Sequence, residues 1–169
     1  MDNLIKQIEA LQTKLKKIKK ELKEANNNLL LLKRGRAKKG DIYYFITYCG
    51  RVFQANEIRH ADNNAMFELG NYFLTKADAE TRLMQLQIEQ ELKDIALELN
   101  NGKVTDWNGS EQPKFHLYFD CKNKQLGIDW YDTCYPQGAI YCFSNKFLDV
   151  AKDRISEARL VEYFKSFVK

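Results

Sequence analysis

Apolar positions at the start of the chain recur with a period of three and a half residues. Leu4, Ile8, Leu11, Leu15, Ile18, Leu22, Ala25, Leu29 and Leu32 follow one another at alternating spacings of 4 and 3. A seam held for about four heptads marks a coiled coil, with Ile8, Leu15, Leu22 and Leu29 at a and the others at d. Neither Gly nor Pro precedes Gly35, and Lys, Leu, Glu, Gln and Ala favour helix. The pattern predicts a helix over residues 1–32, about 42 Å long between Leu4 and Leu32. Such a stripe has to be covered. A parallel dimer would set Lys14 against Lys19 of the second copy. An antiparallel one faces Lys14 with Glu21 and is therefore favoured, with docking onto the chain's own body or onto another protein as alternatives. The oligomerisation positions are Ile8, Leu11, Leu15, Ile18, Leu22 and Leu29.

Residues 33–40 read as a basic linker with Gly35 and Gly40 as breakers. Beyond it the period changes. Residues 42–48 are aromatic and β-branched and predict a strand, Cys49-Gly50 a turn, and residues 51–55 the returning strand. A third apolar piece, residues 65–69, precedes Gly70-Asn-Tyr-Phe-Leu-Thr75. Thr75, with Asp78 in the manner of a capping box, starts a helix whose stripe is Ala79, Leu83, Leu86, Leu92, Ile95, Ala96 and Leu99. Asn100-Asn101-Gly102 stops it. The second half repeats this order: strands over residues 114–121 and 125–131, a short apolar piece ending at Ser144, then helices over 145–152 and 156–167. The expected fold is α+β. An N-terminal coiled-coil helix (1–32) and basic linker (33–40) lead into a duplicated βββα body (41–169), with pseudo-repeats 41–102 and 113–169. Its antiparallel sheet carries helices on one face.

Charge divides the chain differently. Residues 1–39 hold 12 Lys/Arg against 4 Asp/Glu, a net +8, whereas residues 40–169 hold 15 against 19, a net −4. A basic arm on a mildly acidic body suggests a contact to phosphate or to an acidic surface through Lys16, Lys20, Lys23, Arg34 and Arg36. The plainer account is the solvated face of a helix.

The chemical inventory is thin. Cys121, Cys134 and Cys142 lack the close ligand pair a zinc site needs, and His116 adds only one nitrogen, so no metal is expected. Cys49, Cys121, Cys134 and Cys142 are expected to be reduced thiols, with Cys121, Cys134 and Cys142 buried on strands. No helix start or oxyanion cradle lies beside a Cys–His pair drawn from Cys49, Cys121, His60 and His116. Glycine-rich phosphate loops are absent from the sequence. The carboxylate pairs Asp129/Asp132 and Glu89/Glu91 suit solvated faces. Neither enzymatic activity nor a cofactor is expected. No apolar run approaches a membrane span and no secretory signal stands at the start, so the expected location is the cytoplasm.

Aromatic residues are the better-supplied feature. By strand alternation Tyr43, Phe45 and Thr47 oppose Tyr44, Ile46 and Tyr48, and the first set, with its polar Thr, is expected outward. His116 and Tyr118 fall on the more polar face of their strand. Tyr43, His116 and Tyr118, with Trp130 nearby, are the expected contact residues for a partner or ligand.

The stretches Gly40-Asp-Ile-Tyr-Tyr-Phe-Ile, Gly70-Asn-Tyr-Phe-Leu-Thr-Lys-Ala-Asp-Ala-Glu, residues 92–100, 114–120 and 140–144, then 159–165, carry a resemblance. The chain resembles small phage and prophage accessory proteins of Gram-positive bacteria, many with a short coil before a "G-D-x-Y-Y-x-I" strand. The resemblance covers residues 40–167. A Trp-Lys-Pro run that often leads into the first strand there is replaced by residues 36–39. It implies a phage gene read in the host cytoplasm, where small non-enzymatic proteins often block host immunity. The expected function is thus an anti-CRISPR-like inhibitor of a bacterial defence protein such as a nuclease effector. An oligomeric sponge for a nucleotide immune signal is the alternative, and a nucleic-acid-binding accessory protein the third.

Overall fold

A computed structural model describes residues 12, 14–21, 35–103, 113–131 and 139–167. Within them the protein is α+β, with five helices and two small antiparallel sheets. Helix α1 covers residues 14–21. It is followed by β1 (Ile42–Ile46), β2 (Val52–Asn56), α2 (Ala61–Glu68) and α3 (Lys76–Leu99). Then come β3 (Lys114–Asp120), β4 (Gln125–Tyr131), β5 (Tyr141–Cys142), α4 (Phe147–Ile155) and α5 (Glu157–Lys165). The chain divides into two compact units, Met1–Thr47 with Phe53–Lys76, and Tyr48–Val52 with Ala77–Lys169.

In the first unit β1 pairs with β2, and Tyr44 bridges to Phe73 on the other side of β1. Asn71 extends that bridge with its side chain. Its Nδ2 donates to the Ile46 carbonyl and its Oδ1 accepts from the Ile46 amide, both at 2.7 Å, as a strand's backbone would. The third apolar piece, residues 65–69, belongs to α2 and its cap. His60 starts this helix: its ring accepts from the Asp62 amide while Asn63 Oδ1 accepts from the His60 amide. That is a capping box written in residues other than the usual Ser/Thr and Glu/Gln. Gly70 (φ 76°) ends the helix, and Asn71 N donates to Met66 O at 2.9 Å. A left-handed residue there costs glycine nothing.

In the second unit the sheet order is β4-β3-β5. Asp120 pairs with Gln125 across the turn, so Leu117 faces Ile128 and Phe119 faces Leu126 on one side of the sheet. Leu117 and Leu126 join Ile88, Leu92, Ile95, Phe147, Ala151, Leu160 and Tyr163 in a single apolar cluster. Helices α3, α4 and α5 thus cover one face of this sheet. Ile88, 1% exposed, takes the stripe position expected of Leu86, which is 40% exposed. At the helix end Gly102 N donates to Leu97 O at 2.8 Å. The Asn100 side chain accepts from Phe143 N at 2.7 Å, tying α3 to the segment after β5.

A duplicated βββα body is not evident. The halves run β-β-α-α and β-β-β-α-α, and the first contributes only a single bridge where the second has β5. A short apolar run does not distinguish strand from helix, and here the cap at His60 decides for helix.

Candidate functional site

The most organised polar constellation lies in the first unit and centres on Glu57. Gly40 (φ 97°) turns the chain so that its amide donates to the Glu57 carbonyl at 2.7 Å, while Glu57 N donates to Asp41 O at 2.8 Å. This brings residues 36 and 37 alongside Glu57. Arg36 Nε donates to Glu57 Oε2 at 2.7 Å and Nη2 to Oε1 at 3.1 Å, a two-pronged pair with side chains 7% and 0% exposed. Arg36 Nη2 also donates to Asn64 Oδ1 at 2.7 Å. The second lone pairs of the carboxylate are met by the Arg59 amide at 2.7 Å and the Tyr72 hydroxyl at 2.8 Å. The guanidinium stands 5.1 Å from the Phe67 ring centre and 5.9 Å from that of Tyr72.

Burial pushes the Glu57 carboxyl up, but the bonds from Arg36, the Arg59 amide and Tyr72 overcome it and bring it down to about 2. Burial, and then the bond to Glu57, push the Tyr72 hydroxyl up to about 12. The Glu57 bond also raises Arg36. The Glu57 carboxylate is satisfied within the protein by these four bonds. Arg36, expected in the solvated basic arm, is therefore a buried structural residue. Lys16 and Lys20 are exposed on α1, while Lys23 and Arg34 lie outside the described residues.

Tyr43 is a second correction. It is 3% exposed, stacked on Tyr72 at 4.2 Å and 7°, and its hydroxyl accepts from Asn63 Nδ2 at 2.9 Å. Ile42, on the alternate face of β1, is 47% exposed. The polar Thr47 was a misleading guide to the outer face, because buried Asn63 supplies the hydroxyl partner that lets a tyrosine point inward.

His116 and Tyr118 lie on the face of β3 away from the helices. His116 pairs in register with Asp129 and with Tyr141 on β5. The His116 ring is 6.4 Å from Tyr118 and 5.8 Å from Tyr141, which makes a row of three rings across the sheet. Tyr141 is 6% exposed and Tyr118 41%, so the row opens to solvent at one end. Burial lowers the His116 pKa, with Asp129 opposing, and favours the neutral ring. Tyr118 lies flat over Gly127, where an added Cβ would overlap its ring. Trp130 does not belong with this row. It pairs with Phe115, which puts it on the opposite face of the sheet, 52% exposed. The four expected contact residues thus occupy three places.

Leu15 and Ile18 on α1 are 53% and 58% exposed; Ile8, Leu11, Leu22 and Leu29 lie outside the described residues. Cys142 is buried and its thiol is pushed up by that burial. Cys49 is exposed in the turn expected for it, whereas Cys121 is exposed at the turn of the second hairpin, against the expectation of a buried strand thiol; Cys134 lies outside the described residues. Among the described residues no group of three His, Cys, Asp or Glu could hold a metal ion. None of their helices is long and apolar enough to cross a membrane. A cleft of about 50 Å³ opens between Leu92, Leu117, Ile140, Phe147, Tyr163 and Phe164. It has room for only a few waters.

Glu57, Asn63 and Tyr72 escaped sequence reasoning. They are spread over 16 residues without periodicity, and only Gly40 hinted at a special backbone beside them. No family, curated protein or solved structure matches the chain.

Proposed function

We propose that the chain is a non-enzymatic, phage-encoded binding protein that assembles through its N-terminal coil and inhibits a bacterial defence protein such as a nuclease effector. The observation that carries this reading is α1, whose seam residues Leu15 and Ile18 stay open in the single chain. An amphipathic helix gains stability chiefly by burying its apolar stripe, so the arm is suited to protein contact. The resemblance of residues 40–167 to phage accessory proteins supplies the context. The well-formed charge cluster around Glu57 is spent on holding the fold.

The test is cleavage by purified candidate nuclease effectors with and without the full chain. Stoichiometric inhibition of at least one, with a complex of defined mass, is expected. Undiminished cleavage by every effector, with no complex, overturns the reading.

One observation favours the nucleotide-sponge alternative: the ring row Tyr141–His116–Tyr118, partly open to solvent, offers π-faces on which a base could stack. Mass spectrometry of the protein purified from a host producing such a signal would find the nucleotide bound. The nucleic-acid reading keeps Lys16 and Lys20 but loses Arg36. Its signature would be an affinity falling with salt at a log–log slope of about −0.9 per phosphate contacted.

A further inference from the structure

Leu15 and Ile18 face solvent in the middle of the described part of α1. Lys14 and Glu21 flank them, both at heptad position g. Lys17 Nζ lies 3.9 Å from Glu21 Oε1 along the same helix. That leaves the carboxylate able to accept from a further donor, since it offers about four lone-pair sites.

We propose that the seam is covered by a second copy of the chain, running antiparallel and centred between Lys16 and Lys17. In this register Leu15 meets Ile18 of the second copy and Ile18 meets its Leu15. Each Lys14 faces the other copy's Glu21, which gives two reciprocal attractions at the flanks of the central layers. A parallel pair would instead set Lys14 against Lys19 on both flanks. This inference rests on the reading of the arm as an assembly element and adds its partner, direction and register.

Sedimentation equilibrium of the full chain tests it, on the wild type and on Lys14→Glu, Glu21→Lys and the double variant. All are good helix formers, so circular dichroism should report an unchanged helix. The wild type is expected to be a dimer at micromolar concentration. Each single variant turns two attractions into two repulsions and should raise the dimer Kd about tenfold. The double variant restores opposite charges and should return to within about threefold of the wild type. A monomeric wild type would overturn the assembly reading itself. A dimeric wild type in which Lys14→Glu tightens association would overturn only the antiparallel arrangement, since the introduced carboxylate would then be meeting Lys19. A trimer or larger mass would overturn the two-copy seam.

Discussion

Replacing Arg36 with Met should unlock the first unit of the fold. The substitution keeps an apolar stem but removes both bonds to Glu57 and the bond to Asn64. Glu57, fully buried, would keep only the Arg59 amide and the Tyr72 hydroxyl. Breaking a buried pair by deleting one partner costs about 3–5 kcal/mol, because a charge is left without compensation. The lost stacking of the guanidinium against Phe67 and Tyr72 adds to this. Hydrogen exchange followed by mass spectrometry localises the effect. Amides of β1, β2 and α2 should exchange roughly a hundred- to several thousandfold faster at pH 7, with those of β3 and β4 little changed. The double variant Arg36→Met/Glu57→Leu should recover most of the loss, since a buried pair exchanged for apolar groups is often neutral. The pH dependence has a fixed sign. Glu57 is held at about 2, below its ordinary 4.5, so its contribution is complete above pH 4.5 and fades as pH falls from there towards 2. The gap between wild type and Arg36→Met should therefore narrow on acidification. Exchange in β1 and β2 within about threefold of wild type at pH 7 would refute the reasoning.

A fragment starting at residue 40 lacks Arg36 and should show a loosened first unit by the same exchange measurement, whereas one starting at residue 35 should match the full chain. Gly127→Ala drives a methyl into the far end of the partly exposed Tyr118 ring, which swings aside, and should cost no more than about 1 kcal/mol in urea unfolding; adding Tyr118→Ala should remove that cost. Ser156 sits at φ 77°, ψ 146°, a region suited to glycine, while capping α5 through a 3.5 Å bond from Arg159 N. Ser156→Gly trades a weak cap for relief of strain and should stabilise by about 1 kcal/mol in the same assay, and a loss of stability would show the cap to be the larger effect.

The elements that follow local rules were legible. The first hairpin, expected over residues 42–48 and 51–55, lies at Ile42–Ile46 and Val52–Asn56; the second, expected at 114–121 and 125–131, lies at Lys114–Asp120 and Gln125–Tyr131. The long helix begins after Thr75 and ends before Asn100-Asn101-Gly102, where short-range capping chemistry placed it. Features set by distant pairing were hidden. Arg36 reads as one more charge in a basic run, because its partner is 21 residues away. Trp130 was placeable in principle: a four-residue turn pairs Asp120 with Gln125, and counting back sets Trp130 opposite Phe115. Strand alternation alone gave each strand two faces without saying which faces match across the hairpin.

Phage plating tests most directly the central claim, that this chain acts on a bacterial defence through its assembled surface. Hosts carrying nuclease-based defences would express either the wild-type chain or a Leu15→Glu/Ile18→Glu variant, whose seam charges forbid a dry interface at a cost of several kcal/mol. Both positions are exposed in the single chain, so the variant should remain folded by circular dichroism and accumulate normally. Wild-type expression should restore plaques by at least about a hundredfold on one such host, and the variant should not. Equal plating with and without the wild-type chain on every host, despite good expression, would contradict the claim.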